Sequence, residues 1–163
     1  MTERILFGLG LLLALGGPAA AVLQKELLLR SGRPVLLELA PRDPRSLMQG
    51  DYMDLNYGLA GTLPFEETPA KAGRLVLRND PRGVAAFVRV HRGEPLGPGE
   101  FLLRFRRHGS RTLIGAESFF FQEGQADRYQ PARFGELRID AGGTALLTGL
   151  RDKDLNPLGG PRR

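Results

Sequence analysis

Residues 5–23, ILFGLGLLLALGGPAAAVL, contain no charge. Nineteen residues at helical rise come close to the ~30 Å hydrocarbon thickness of a bilayer. Backbone at that depth must satisfy its own hydrogen bonds, so such a stretch has to be helical. The apolar pattern continues through QKELLLRSG, where Leu23, Leu27 and Leu28 share a helical face and Gly32 marks a C-terminal stop. This predicts a transmembrane anchor helix over residues 1–31. A cleaved signal peptide over residues 1–21 fits the same stretch. Its apolar core is 5–15, its breaker Gly16, Gly17 and Pro18, and its cleavage site Ala19, Ala20 and Ala21. A retained anchor is favoured because the apolar pattern crosses that site without a break. Arg4 precedes the span, while Lys25, Arg30, Arg33, Arg42 and Arg45 follow it. Read literally, that asymmetry keeps the domain in the cytoplasm. Long domains translocate regardless of such charges, however, and a short N-terminus before an apolar run is an export signal. The expectation is a single-pass protein of the inner cell membrane with a periplasmic domain.

The remaining chain of about 130 residues is long enough for one domain with its own core. Its 22 glycines and 12 prolines are scattered, which suits short strands and tight turns rather than a helix bundle. PVLLELA (34–40) reads as a buried strand, and PRDPRS (41–46) as a turn that two prolines keep out of helix and ladder. Strands are predicted over 74–80, 84–91, 101–109, 111–124, 136–140 and 145–152. DPRG (80–83) and AGGT (141–144) form hairpin turns, and a helical turn lies within 125–135. The expected fold is mostly β, an antiparallel sandwich or partly closed barrel over residues 32–152 with a flexible tail over 153–163.

The net charge of +5 comes from 23 basic and 18 acidic residues, and only Lys25, Lys71 and Lys153 are lysines. The arginines run from Arg4 to Arg163, interleaved with acids, which describes a solvated surface better than a nucleic-acid face. No cysteine is present, so disulfides, thiolate metal sites and cysteine catalysis are excluded. His91 and His108 each end a predicted strand among arginines, a poor setting for a metal. No phosphate-cradling glycine loop, metalloprotease helix or nucleophile elbow occurs. No cofactor, metal or catalytic constellation is predicted.

Two stretches stand out. In GDYMDLNYGL (50–59), Met53, Leu55, Tyr57 and Leu59 share the parity of a core face, and Tyr52, Asp54 and Asn56 the opposite one. Asp51 can accept backbone N–H groups of the preceding loop or pair with Arg42 or Arg45. Either this is a capped strand start with a core tyrosine, or Asp51 and Tyr52 present a polar site beside the loop. In ESFFFQEG (117–124), Phe119 and Phe121 share one face and Phe120 takes the other. The strand is therefore buried on both faces or shows an aromatic contact to a partner or membrane surface. Glu117 and Glu123 flank it, within reach of Arg128 or Arg133. The candidate binding residues are Arg45, Asp51, Tyr52, Glu117, Phe120 and Glu123.

GDYMDLNY resembles the signature of the GDYXXLXY family, matching at Gly50, Asp51, Tyr52, Leu55 and Tyr57. LLELAPRDPRSLMQ, ESFFFQEGQADRY and LRID carry the resemblance from about residue 25 to residue 152. It implies a small, single-pass, membrane-anchored bacterial protein, of a kind often encoded beside multi-pass membrane proteins. It supplies no catalytic residues. A weaker likeness to signal-peptidase-like β folds stops at the chemistry. Those enzymes need a serine nucleophile beside a deprotonated lysine, and Lys71 stands in a loop with no matching serine. The expected role is a binding or accessory module for a multi-pass membrane protein or envelope component, reached through the helix at the membrane and without nucleic acid. The alternative is an envelope hydrolase using Asp51 and a partner carboxylate.

Overall fold

The computed structural model describes residues 2–40, 52–63, 68–69, 71–109 and 111–159, with helix side chains described at Phe7, Gly10 and residues 14–31. Helix α1 (Thr2–Ser31) runs unbroken through Gly16, Gly17 and Pro18. It stops where expected: the Gly32 N–H donates to the Leu28 carbonyl (2.9 Å). Of the three leucines expected on one packed face, only Leu28 is buried, while Leu23 and Leu27 are each 62% exposed. The helix contacts β8 (Phe134–Ile139) and β9 (Ala145–Arg151), and Leu28 in its last turns is the one buried side chain among those described along it. Arg138 Nη1 donates to the Gly32 carbonyl there (3.1 Å). Among the described residues no helix is long and apolar enough to cross a membrane.

The domain is mostly β, as two curled antiparallel half-barrel sheets. One runs in the order β1 (Arg33–Glu38), β8, β9, β10 (Pro157–Leu158). The other runs β4 (Ala85–Val90), β3 (Ala72–Asn79), β5 (Glu100–His108), β6 (Arg111–Ile114). The pair β2 (Tyr52–Asp54) and β7 (Ser118–Phe120) forms a separate ribbon. Period-2 alternation drives the burial. Phe101, Leu103 and Phe105 are buried on β5 while Arg104 and Arg106 face out, and Val35 and Leu37 do the same on β1. These side chains meet Leu75, Leu77, Leu137, Ile139 and Leu150 in one core.

Backbone bonds stitch the sheets together. The Leu36 N–H donates to Gly83 O (3.1 Å), joining β1 to the β3–β4 turn, and the Arg104 N–H donates to Gly143 O (2.8 Å), joining β5 to the β8–β9 turn. The two turns share one device. Asp80 Oδ1 accepts the N–H groups of Arg82 (2.8 Å) and Val84 (2.9 Å), and Asp140 Oδ1 accepts that of Thr144 (2.8 Å). Two sequence expectations are corrected. The single strand over 111–124 is two strands, because Gly115 turns the chain with φ +61. The tail is not free from residue 153 onward, since β10 pairs with β9 after a turn in which Asp152 Oδ1 accepts the N–H groups of Asp154 (2.9 Å) and Asn156 (2.8 Å). Between β2 and β3 the chain forms a short helical turn, α2 (Gly58–Thr62).

At the outer end of β5, Arg89 donates to Glu100 (2.8 Å) and Glu94 (2.9 Å), and Arg78 reaches Glu100 at 3.3 Å. The Gly97 N–H and then Arg89 hold the Glu100 carboxyl below its ordinary range. The N–H groups of Glu94 and Arg92, with Arg89, hold Glu94 at about 2. Depressed folded values give stability that is fully present above the ordinary carboxylate range, roughly pH 4–5. It is lost as pH falls through the folded values toward 2. Unfolding midpoints measured across that window should therefore drop with acid, and Glu100→Gln should flatten the drop. An equal slope in the variant would remove this cluster as its source.

Candidate functional site

The two stretches singled out in sequence are neighbours in space. β2 and β7 pair antiparallel, setting Tyr52 opposite Phe120, Met53 opposite Phe119 and Asp54 opposite Ser118. The register puts Met53 and Phe119 into the core and turns Tyr52 and Phe120 outward. Phe120 is 73% exposed, so burial of this strand on both faces is ruled out. The Tyr52 and Phe120 rings lie 5.7 Å apart between centroids, tilted by 37°. Behind them, Tyr129 on α3 (Ala126–Tyr129) packs edge-on to Phe119 at 5.0 Å and stacks on Phe121 at 5.3 Å. An aromatic layer thus supports the ribbon from inside.

Arg45 and Asp51 lie outside the described residues. Glu117 and Glu123 are exposed, and no ion pair joins either to Arg128 or Arg133 among the described residues. Glu117 contributes its backbone, as its carbonyl accepts the Leu55 N–H (2.7 Å) and extends the ribbon. Tyr57 closes the signature. It bridges to Leu39, its ring is buried, and its hydroxyl has no partner among the described residues. Burial pushes that hydroxyl well above the usual tyrosine range, so it stays neutral. Gly135 makes room for the ring, since a Cβ there would stand 3.1 Å from Tyr57 Cε1. The predicted core parity holds at Met53, Leu55 and Tyr57, with Leu59 packed against them from α2.

A second feature was not anticipated. A cavity of about 700 Å³ opens beside β3, β5 and β6, lined among others by Arg74, His91, Arg104, Arg106, Leu113 and Glu117. Register explains its charge. Arg74 faces Arg104 across β3 and β5, Ala72 faces Arg106, and the His91 N–H donates to the Arg74 carbonyl (2.9 Å). A sequence signal existed in RLVLR and FLLRFRR, whose alternate arginines must share a strand face. It becomes a cluster only once the pairing of those strands is known. Arg104 is held at the rim by Nε donating to the Gly142 carbonyl (3.0 Å). Among the described residues, no group of three or more His, Cys, Asp or Glu side chains is placed to hold a metal.

A family model described as GDYXXLXY protein matches residues 14–150. No curated protein and no solved structure matches the chain.

Proposed function

The chain belongs to the GDYXXLXY family, and from that premise we propose that it is a membrane-tethered binding module. Its helix anchors it in the inner membrane, its β domain stands on the periplasmic side, and the outward face of the β2–β7 ribbon docks on a multi-pass membrane protein. The observation that carries the reading is the Tyr52–Phe120 pair. A phenylalanine that is 73% exposed, on a ribbon backed by three further aromatic rings, is an anchor of the kind that dominates interfaces. The tether rests on the uncharged run over 5–23 and on helix side chains that find no cover in the domain. Phe7, Leu15, Val22 and Leu23 are 61–75% exposed, and apolar surface of that kind favours a bilayer or another helix over water.

Phe120 is the cleaner probe of docking, because Tyr52 is half-buried and engaged beyond its ring contact. In-membrane cross-linking of the tagged full-length chain, followed by mass spectrometry, should give one recurrent multi-pass partner. Phe120→Ser should weaken its capture by about 30-fold, the ~2 kcal/mol of a buried aromatic anchor, while the melting temperature stays unchanged. Undiminished capture by the variant would end the assignment of this face. A mature chain beginning at Val22 would remove the tether.

A further inference from the structure

We propose that the cavity beside β3, β5 and β6 is a binding site for a phosphate-class oxyanion, carried by a small molecule or by a lipid headgroup. The inference stands independently of the ribbon's docking role.

The cavity lining holds three guanidiniums against the one carboxylate of Glu117. Two of them, Arg74 and Arg104, face each other directly across paired strands, where like charges destabilise a sheet unless something neutralises them. Elsewhere in the same sheet, Arg89 holds the carboxylates of Glu94 and Glu100, and Arg78 reaches that of Glu100. Arg74 and Arg106 have no such partner among the described residues. Arg104 feels Asp140 electrostatically but spends its Nε–H on the Gly142 carbonyl. His91 adds a buried Nδ1 with no hydrogen-bond partner among the described residues, at the edge of the same cavity.

The arrangement therefore spans three adjacent strands: His91 just past the end of β4, Arg74 on β3, and Arg104 with Arg106 on β5. A multiply charged oxyanion gathers forked donors from several directions, and arginine is the residue best matched to it. The volume of about 700 Å³ lies within the range of small-ligand sites. Glu117 adds an acceptor suited to a hydroxyl or ammonium group on the same ligand. The strands beneath the cavity are well packed, with Leu103 and Leu75 fully buried on the core side and Phe105, which also lines the cavity, 2% exposed.

The test uses the full-length chain in phosphatidylcholine nanodiscs. Inorganic phosphate is raised at fixed ionic strength, and the amide signals of Arg74, His91 and Arg104 are followed by NMR. A second arm replaces part of the phosphatidylcholine with phosphatidylglycerol and omits free phosphate. Saturable shifts of these signals are expected in at least one arm. Response to free phosphate identifies a soluble ligand, and response to phosphatidylglycerol alone identifies a headgroup. Arg74→Gln/Arg106→Gln should weaken the response by about tenfold or more, as loss of two charge-assisted bonds does. With no ligand present, its melting temperature should be unchanged or raised. Arg128→Gln/Arg133→Gln removes equal charge elsewhere and should leave the response intact. Absence of a saturable shift in both arms overturns the proposal, and so does an equal loss in the control pair.

Discussion

Tyr57→Ala is expected to lower the unfolding free energy by about 3–5 kcal/mol, the range for deleting a buried aromatic ring. Tyr57→Phe is expected to raise it by about 1 kcal/mol. The two substitutions separate ring from hydroxyl. The ring is 4% exposed and belongs to the main core cluster, with Gly135 cut back to receive it. The hydroxyl is buried with no partner among the described residues, and an unpartnered buried hydroxyl costs stability rather than adding to it. Urea unfolding of the full-length chain in detergent micelles measures both. If Tyr57→Phe destabilises as strongly as Tyr57→Ala, the hydroxyl has a partner such as a trapped water. The last tyrosine of the signature would then belong to a polar network and not only to the core.

That result bears on what the signature is for. Met53, Leu55 and Tyr57 all point into the core, so three of the eight residues of GDYMDLNY are a folding element. Of the described outward positions, only Tyr52 stands beside another aromatic ring, that of Phe120. The division was legible in the sequence because a strand alternates by two, and that parity assigns inside and outside without knowledge of the partner strand. Turn chemistry, a different signal, placed the hairpin turns DPRG and AGGT, which the carboxylates of Asp80 and Asp140 cap.

What the sequence could not disclose was pairing. Nothing local to residues 52–54 or 118–120 indicates that they face each other, because antiparallel register between distant strands is settled by the whole core. The Arg74–Arg104 opposition has the same origin. Charge scattered evenly along the chain becomes a cluster when three strands are laid side by side. The expectation of one strand over 111–124 failed for a local reason that was present, since Gly115 sits inside the run and takes a left-handed conformation.

Gly143→Ala is expected to cost about 2–5 kcal/mol, the second-largest effect. Gly143 adopts φ +87, a conformation that costs an alanine about 1–2 kcal/mol. A Cβ there would also stand 3.0 Å from the Arg104 backbone nitrogen and 3.1 Å from the Leu102 carbonyl carbon. These atoms cannot give way cheaply, because the Arg104 N–H donates to the Gly143 carbonyl in the bond that joins the two sheets at this end (2.8 Å). The substitution therefore strains the turn and prises the joint apart, and a weakened inter-sheet hydrogen bond adds about 1 kcal/mol or more. Two readouts distinguish joint from turn. Hydrogen exchange at the Arg104 amide should accelerate in Gly143→Ala. It should change far less in Asp140→Ala, which loses the cap but keeps the glycine. The same joint holds Arg104 at the cavity rim through Gly142. Gly143→Ala should thus also weaken the phosphate response with every guanidinium still present. A variant that keeps its stability and its slow Arg104 exchange would mean that the two half-barrels do not depend on this contact, and that the cavity beside it is held by the strands alone.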